Sequence, residues 1–188
     1  MVRLPSDFGR GTVLAVTTDT SSQFRTDPPS TGDERAMLQG FLDFHRGTLL
    51  WKVSALSGEE LVRPTVDPSG MTLLGLVRHL TEVERYWFQA SLDGRVDALK
   101  LWTDEHPDGD FDLVSEAEAE ADLATFHQVV AESDAIARGY DLDHHFTRPR
   151  GGPDLSLRWL YLHLVEEYAR HNGHADLLRE RIDGLVGE

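Results

Sequence analysis

The sequence contains no cysteine, and it has few basic residues compared with acidic ones. Without cysteine, disulfide bonds, thiolate metal sites and a cysteine nucleophile are excluded, so any thiol chemistry requires a thiol from outside the protein. The 33 acidic and 18 basic residues give a formal charge of −15, which disfavours binding to nucleic acid and to anionic membranes. We therefore expect neither of these partners.

Long hydrophobic runs are also missing. No run approaches the roughly 20 apolar residues needed to cross a membrane, and the N-terminal segment TVLAV is shorter than a signal-peptide core of about 7–15 residues. These two absences predict a cytoplasmic protein. The length of 188 residues and the hydrophobic content of 40% predict one domain with a sizeable core.

Periodicity divides the chain into an N-terminal arm and a helical remainder. Residues 1–30 hold prolines, serines and threonines without a helical period, which predicts an irregular arm with a short strand at Thr12–Thr17. Residues 31–188 are predicted to form an all-α four-helix bundle with long connections, because strand patterns are almost absent there. The four helices are predicted at Asp33–Leu56, Met71–Leu92, Glu116–Arg138 and from Ser156 to about Asp183.

Capping residues set the expected helix boundaries. Thr31 with Glu34, and Ser115 with Glu118, have the spacing of capping boxes at the starts of the first and third helices. Ser156 is expected to cap the fourth helix at its N-terminus.

The segment SLRWLYLHLVEEYARHNGHADLLRERIDG places polar side chains against an apolar helix face. At about 100° per residue, His171 falls near the centre of that face, Glu167 on its shoulder, and His163 and His174 at its edge. A carboxylate and an imidazole that face a core cost free energy unless they are paired or bind a metal. The apolar residues that set this face are Leu157, Leu160, Leu164, Leu178 and Ile182.

A third metal ligand is expected on another helix, because helical bundles build metal sites from side chains on facing helices. His79, in GLVRHLTEVERYW, lies at the flank of the apolar face of the second helix. With Glu167 and His171 it gives two imidazoles and one carboxylate, which suit Zn²⁺, Ni²⁺ or Fe²⁺ and leave coordination positions for water or a ligand. The alternative is that these histidines are ordinary solvated or hydrogen-bonded side chains and that Glu167 pairs with Arg170.

Four stretches of the chain have the pattern of a known family. They are TDPPSTGDERAMLQGFLDFHRGTLLWK, SGMTLLGLVRHLTEVERYWF, HPDGDFD and SLRWLYLHLVEEYARHNGHADLLRERIDG. In these stretches the chain resembles the DinB superfamily, or DinB/YfiT-like metalloenzymes, and most closely the branch of mini-circle proteins. The resemblance implies a four-helix bundle with a metal held by His79 and His171. Glu167 stands where the family usually has a further histidine, as it also does in the related mycothiol-dependent maleylpyruvate isomerases.

The same resemblance implies chemistry with a low-molecular-weight thiol such as mycothiol. The chain is then expected to be a divalent-metal-dependent S-transferase or isomerase that acts on a small electrophilic substrate, with zinc favoured over nickel or iron. His174 and Tyr86 are candidates for proton transfer or support of the site. Arg170 is a candidate for steering a carboxylate, and Trp102, in an irregular loop, for lining the pocket.

A non-catalytic alternative is a metal-binding or stress-related bundle protein. In that case a fourth protein ligand, His163 or His174, would complete the coordination of the metal. Three protein ligands with an open position would favour catalysis, and four would favour a structural role. An acidic bundle of this kind is also compatible with a homodimer.

Overall fold

The computed structural model describes residues 23–187, which form a bundle of α-helices. A π-helical segment, Arg85–Leu92, continues the third helix, and a 3₁₀ turn, Glu116–Glu118, precedes the fifth. Two short strands, β1 (His145–Phe146) and β2 (Leu155–Ser156), pair antiparallel between the last two helices. The helices are α1 Glu34–Val53, α2 Gly58–Leu61, α3 Leu73–Glu84, α4 Gly109–Asp112, α5 Ala119–Ala137 and α6 Leu157–Asp183.

The all-α prediction is confirmed. The four longest helical segments, which are α1, α3 with its π-helical continuation, α5 and α6, correspond to the four predicted helices. The strand predicted at Thr12–Thr17 lies outside the described residues, and the division of the chain after residue 30 stays a prediction.

The core consists mainly of leucines that the helical period directs inward. Helix α1 packs along α6, and α3 packs against both α5 and α6. Each fully buried leucine stabilises the fold by about 1.5–3 kcal/mol relative to an exposed one, so this core determines which faces of α3 and α6 meet. The fully buried leucines of these helices are Leu42, Leu49, Leu73, Leu74, Leu76, Leu80, Leu157, Leu160 and Leu164.

Helix α6 begins and ends at residues with clear capping roles. The Ser156 side chain accepts a hydrogen bond from the Trp159 backbone N–H, as predicted. The helix ends at Gly184, whose φ of 83° lies in the left-handed region that glycine adopts without strain. The helix therefore runs without interruption through the polar stripe predicted on it, which is formed by His163, Glu167, His171 and His174.

The capping boxes predicted for the first and third helices are wrong. Asp33, not Thr31, caps α1, because its carboxylate accepts from the Ala36 backbone N–H. Ser115 precedes a 3₁₀ turn and makes no side-chain capping hydrogen bond, so its spacing to Glu118 does not produce a box. In both cases the helix starts later than the predicted cap requires.

A buried ionic network joins the four long helical segments. Arg46 of α1 donates to both carboxylate oxygens of Glu84 in α3, at 2.8 and 2.9 Å, and to Asp134 of α5 at 2.8 Å. The Tyr168 hydroxyl of α6 donates to Glu84 at 2.9 Å. Buried charges are tolerated when they are paired in this way. Since Tyr168 directly follows Glu167, the network positions α6 against α3 next to the polar stripe.

Candidate metal centre

His79 of α3 and Glu167 and His171 of α6 come together between the two helices. His79 Nε2 lies 3.4 Å from Glu167 Oε1, and His171 Nε2 lies 3.4 Å from the same oxygen. The imidazole ring centroids of His79 and His171 are 4.6 Å apart. Two imidazole nitrogens and one carboxylate oxygen thus lie within 4.8 Å of one another.

The helical geometry accounts for this convergence. Glu167 and His171 are one turn apart on α6, so their side chains project to the same side of the helix. His171 is only 8% exposed, and its neighbours in the cluster are partly buried. His79 reaches them because α3 packs against α6.

Two of the three separations between the donor atoms match those around a small divalent metal. Ligand atoms at about 2.05 Å from a tetrahedral zinc ion are separated by about 3.4 Å. Both nitrogen–oxygen separations in the cluster have this value. Imidazole nitrogen and carboxylate oxygen are also donors that zinc, nickel and iron accept. The two nitrogen–oxygen separations and the types of donor atom therefore suit such an ion.

Hydrogen bonds in and beside the cluster favour the charged forms of His79 and Glu167. Burial lowers the pKa of His79, but hydrogen bonds with Asp110 and Glu167 more than offset it and raise the pKa from 6.5 to about 9. Hydrogen bonds from His171 and His79 hold the pKa of Glu167 well below its usual range. The carboxylate is thus ionised and ready to act as a ligand, while a proton on His79 has to leave when a metal binds.

Asp110 holds the far side of the His79 ring, and sequence reasoning missed it. Its Oδ2 lies 2.7 Å from His79 Nδ1 and accepts a hydrogen bond from Trp102 Nε1 at 2.8 Å. Asp110 is 2% exposed, and although burial raises its pKa, the hydrogen bonds from His79 and Trp102 lower it overall. Bonding to Nδ1 directs Nε2 towards Glu167, as the carboxylates behind metal-binding histidines commonly do.

Arg78, the residue before His79, anchors the short helix α4, which carries Asp110. Its guanidinium donates to the backbone oxygens of Gly109 and Asp110 at 3.0 and 3.1 Å. The same group pairs with Asp122 of α5 at 3.0 Å. Because consecutive residues of α3 hold the backbone and the side chain of Asp110, the carboxylate has little freedom to move away from His79.

Glu82 performs a similar task for the segment that carries Trp102. Its buried carboxylate accepts backbone N–H groups of Leu101 at 2.7 Å and of Trp102 at 3.3 Å. Arg85 compensates its charge through a hydrogen bond at 3.0 Å. The indole of Trp102 is therefore held where it reaches Asp110, with its ring centroid 5.9 Å from that of His79.

The other two histidines of α6 lie outside the three-residue cluster. His174 Nδ1 is 3.4 Å from His171 Nδ1, the nitrogen remote from Glu167, and burial, His171 and Arg170 lower the pKa of His174. His163 instead stacks on Trp159, with ring centroids 4.9 Å apart. His174 thus supports the ring of His171, and the structure does not bring His163 to the cluster.

Tyr86 and Trp102 meet at a cleft beside the cluster, whereas Arg170 points elsewhere. The two rings are 6.2 Å apart, and both line an opening of about 620 Å³ that we call the Trp102 cleft. Arg170 is ion-paired with Glu166 at 2.7 Å, and its side chain is 61% exposed. The lining residues of the Trp102 cleft are Tyr86, Val96, Leu99, Trp102, Thr103, Asp104, Pro107, Pro149 and Arg150.

Comparison with protein families gives one match, which covers most of the chain. The family model described as mycothiol-S-transferase matches residues 37–184. The chain belongs to the mycothiol S-transferase family. This confirms its placement in the DinB superfamily and supports a mycothiol-related S-transferase-like function. No curated protein and no solved structure shows a significant match.

The matched span of this mycothiol S-transferase family member includes the three cluster residues, and it also includes Asp110 and Glu82. Sequence reasoning assigned no role to either carboxylate. Asp110 lies in the turn-rich stretch HPDGDFD, whose pattern predicts only a loop, and Glu82 has ordinary helix spacing. In residues 23–187, no helix is both long and apolar enough to cross a membrane.

Proposed function

We propose that the protein transfers mycothiol, or a related low-molecular-weight thiol, to a small electrophile in a metal-dependent reaction. His79, Glu167 and His171 are the proposed ligands of the metal, with zinc favoured and nickel or iron as alternatives. The observation that carries the proposal is the convergence of their three donor atoms within 4.8 Å. The family match and the absence of cysteine support an external thiol as the nucleophile.

The residues around the cluster have distinct tasks in this scheme. A bound divalent metal supplies the positive charge that lowers the pKa of a thiol, so that thiolate is present near neutral pH. Asp110 keeps the ring of His79 in place, and His174 does the same for His171. Tyr86 lines the Trp102 cleft, where its hydroxyl is the proposed carrier of a proton to the product.

Addition of a thiol to an activated double bond illustrates the balance of atoms. The sulfur forms a bond to the electrophilic carbon, and the π-electron pair moves onto the activating carbonyl group. The proton that the thiol releases then returns to the carbon next to that carbonyl. If the enolate instead rotates about the former double bond and expels the thiolate before it is protonated, the double bond forms again and the net result is isomerisation, so both reaction types use the same site.

Elemental analysis of protein purified without a nickel column tests the proposal. We expect nearly one divalent ion per chain in the unmodified protein and in a His163→Ala control, and loss of the ion in His171→Ala. Thiol-dependent turnover of a panel of electrophiles should fall together with the metal. Absence of metal from carefully handled unmodified protein would remove the basis for the proposed chemistry.

The non-catalytic alternative would require a fourth protein ligand. His174 contacts the nitrogen of His171 that faces away from Glu167, and His163 is engaged with Trp159. The three candidate ligands in the described part of the chain favour a site with an open coordination position, as catalytic zinc sites have. A cytoplasmic location and a homodimeric state stay predictions from the sequence.

A further inference from the structure

The Trp102 cleft has polar and apolar surface, and most of the residues that line it are apolar or aromatic. Tyr86, Trp102 and Pro149 contribute ring surfaces, and Val96 and Leu99 contribute aliphatic ones. Aromatic and proline surfaces of this kind bind planar apolar groups well. Trp102 also connects the cleft to the candidate metal centre, because its ring lies 5.9 Å from that of His79.

Arg150 is the single cationic side chain among the residues that line the cleft. It lines the cleft and makes no ion pair or side-chain hydrogen bond with another residue in the range 23–187. Other arginines near the site are engaged: Arg78 pairs with Asp122, and Arg170 pairs with Glu166. An unpaired guanidinium beside a binding surface offers a fork of donors that matches a carboxylate.

The negative overall charge of the protein makes a local cation such as Arg150 important for binding an anionic substrate. With a formal charge of −15, the protein repels small anions on average, so an anionic substrate needs a local positive group to hold it. Asp104 lines the same cleft and also makes no ion pair within residues 23–187. The cleft therefore contains one cation that attracts a carboxylate and one anion that opposes it.

We propose that the Trp102 cleft selects planar, apolar electrophiles that carry a carboxylate, and that Arg150 is the residue that recognises this carboxylate. This inference rests on the thiol-transfer function proposed above, whose electrophile it specifies. The apolar body packs against Tyr86, Trp102 and Pro149, while the carboxylate accepts hydrogen bonds from Arg150. The reactive carbon then lies on the side of the cleft that Trp102 shares with His79.

A pair of electrophiles with one reactive centre tests the selectivity. Benzoylacrylate carries a carboxylate, and its methyl ester lacks the charge but has the same activated double bond. With metal-loaded protein and mycothiol, Arg150→Leu should raise the KM for benzoylacrylate about tenfold and leave the KM for the ester unchanged. Asp104→Asn should lower the KM for benzoylacrylate, because it removes a nearby negative charge.

Two further arginine variants make the result specific. Arg181→Leu removes one exposed charge in the last turn of α6 and should leave both KM values unchanged. Arg170→Leu tests the other arginine suggested for carboxylate steering. If Arg170→Leu, and not Arg150→Leu, raises the KM for benzoylacrylate, the assignment to Arg150 is overturned. The assignment is also overturned if Arg150→Leu raises the KM equally for benzoylacrylate and its ester. It is overturned as well if this variant raises the KM for mycothiol when the ester is the second substrate.

Binding without reaction separates this inference from the proposed function. Hydrocinnamate and its amide have no activated double bond, and calorimetry measures their binding whether or not the protein shows turnover. Arg150→Leu should weaken hydrocinnamate binding about tenfold and leave the amide unaffected. A carboxylate is also able to bind a metal, so the deciding quantity is the change that the substitution causes. Unchanged hydrocinnamate binding in Arg150→Leu would refute the inference even if thiol transfer is established.

Discussion

Two histidines of α6, His163 and His171, have different surroundings although the sequence presents both along one polar stripe. His171 meets the imidazole of His79, with ring centroids 4.6 Å apart. His163 lies between Trp159, at 4.9 Å, and Trp87, at 4.8 Å. Helix α3 places His79 opposite His171, whereas its π-helical continuation places Trp87 opposite His163. A histidine on a helix therefore becomes a candidate ligand or an aromatic packing residue according to what faces it.

The neighbouring carboxylates Glu166 and Glu167 differ in the same way. Glu167 lies 3.4 Å from both cluster imidazoles, and its pKa is held well below its usual range by their hydrogen bonds. Glu166 points outward, where it pairs with Arg170 at 2.7 Å and lies 3.6 Å from His163. Adjacent residues of one helix thus belong to a partly buried site and to the solvent-exposed surface.

The largest effect is expected from substitutions at these adjacent carboxylates. Glu167→Gln should weaken metal binding by more than about 100-fold, because it removes a charged donor atom from the cluster. Glu166→Gln should leave metal affinity nearly unchanged, since its exposed ion pair contributes little. Competition titration with a coloured chelator measures both. Equal losses in the two variants would contradict the difference drawn between Glu166 and Glu167.

A smaller loss is expected when the support behind His79 is removed. Asp110→Asn should weaken metal binding about 10- to 100-fold, because Nδ1 of His79 loses its charged partner while the three ligands stay in place. Asp112→Asn, an exposed carboxylate in the same short helix, is the matched control. The same titration applies, and an Asp110→Asn variant with unchanged affinity would show that His79 needs no such support.

The pH dependence of metal binding should report the proton on His79. The pKa of His79 is raised from 6.5 to about 9 in the folded protein without metal, so its proton stabilises the fold fully below pH 6.5 and this stabilisation is lost as pH rises through about 9. Metal has to displace that proton, and its affinity should therefore rise about tenfold per pH unit below about 9. Titrations at about pH 7 and about pH 8 check the slope. A flat profile would indicate that His79 is already neutral or does not bind the metal.

The smallest effect is expected at His163 itself. His163→Ala should lower the free energy of unfolding by about 1 kcal/mol, because the ring loses its contacts with Trp159 and Trp87. Metal content should stay unchanged. Urea unfolding of metal-free protein measures the stability, and elemental analysis measures the metal. Loss of metal in this variant would place His163 in the site and favour the alternative with four protein ligands.

Much of the bundle was predictable because it follows from local rules. The helical period of the leucines located the long helices, and Ser156 marked the start of α6. The pairing of Glu167 with His171 also followed from local geometry, since residues four apart lie on one side of a helix. The cap of α1 was misplaced, because Asp33 and Thr31 are both suitable caps and only the final backbone path distinguishes them.

The support of the cluster was not predictable in the same way. Asp110 lies 31 positions from His79 along the chain and Glu167 lies 88 positions away, so contact requires the loop and both helices to be in place. Arg78 holds α4 through backbone oxygens of residues 109 and 110, and Glu82 holds the segment before it through backbone N–H groups of residues 101 and 102. Backbone atoms have no signature in the sequence. The lack of an ion-pair partner for Arg150 among residues 23–187 likewise depends on which acidic groups the fold brings near it.

Composition and short-range periodicity are enough to predict an acidic, helical chain without thiols of its own, and a helix that directs one carboxylate and one imidazole to the same side. These properties arise from composition and from periods of a few residues. The contact of His79 with this pair was a hypothesis that needed the folded structure, and the roles of Asp110 behind His79 and of the tryptophans around His163 had no signal in the sequence. The reason is physical: donor atoms converge only after core packing has fixed the mutual rotation of helices far apart in sequence.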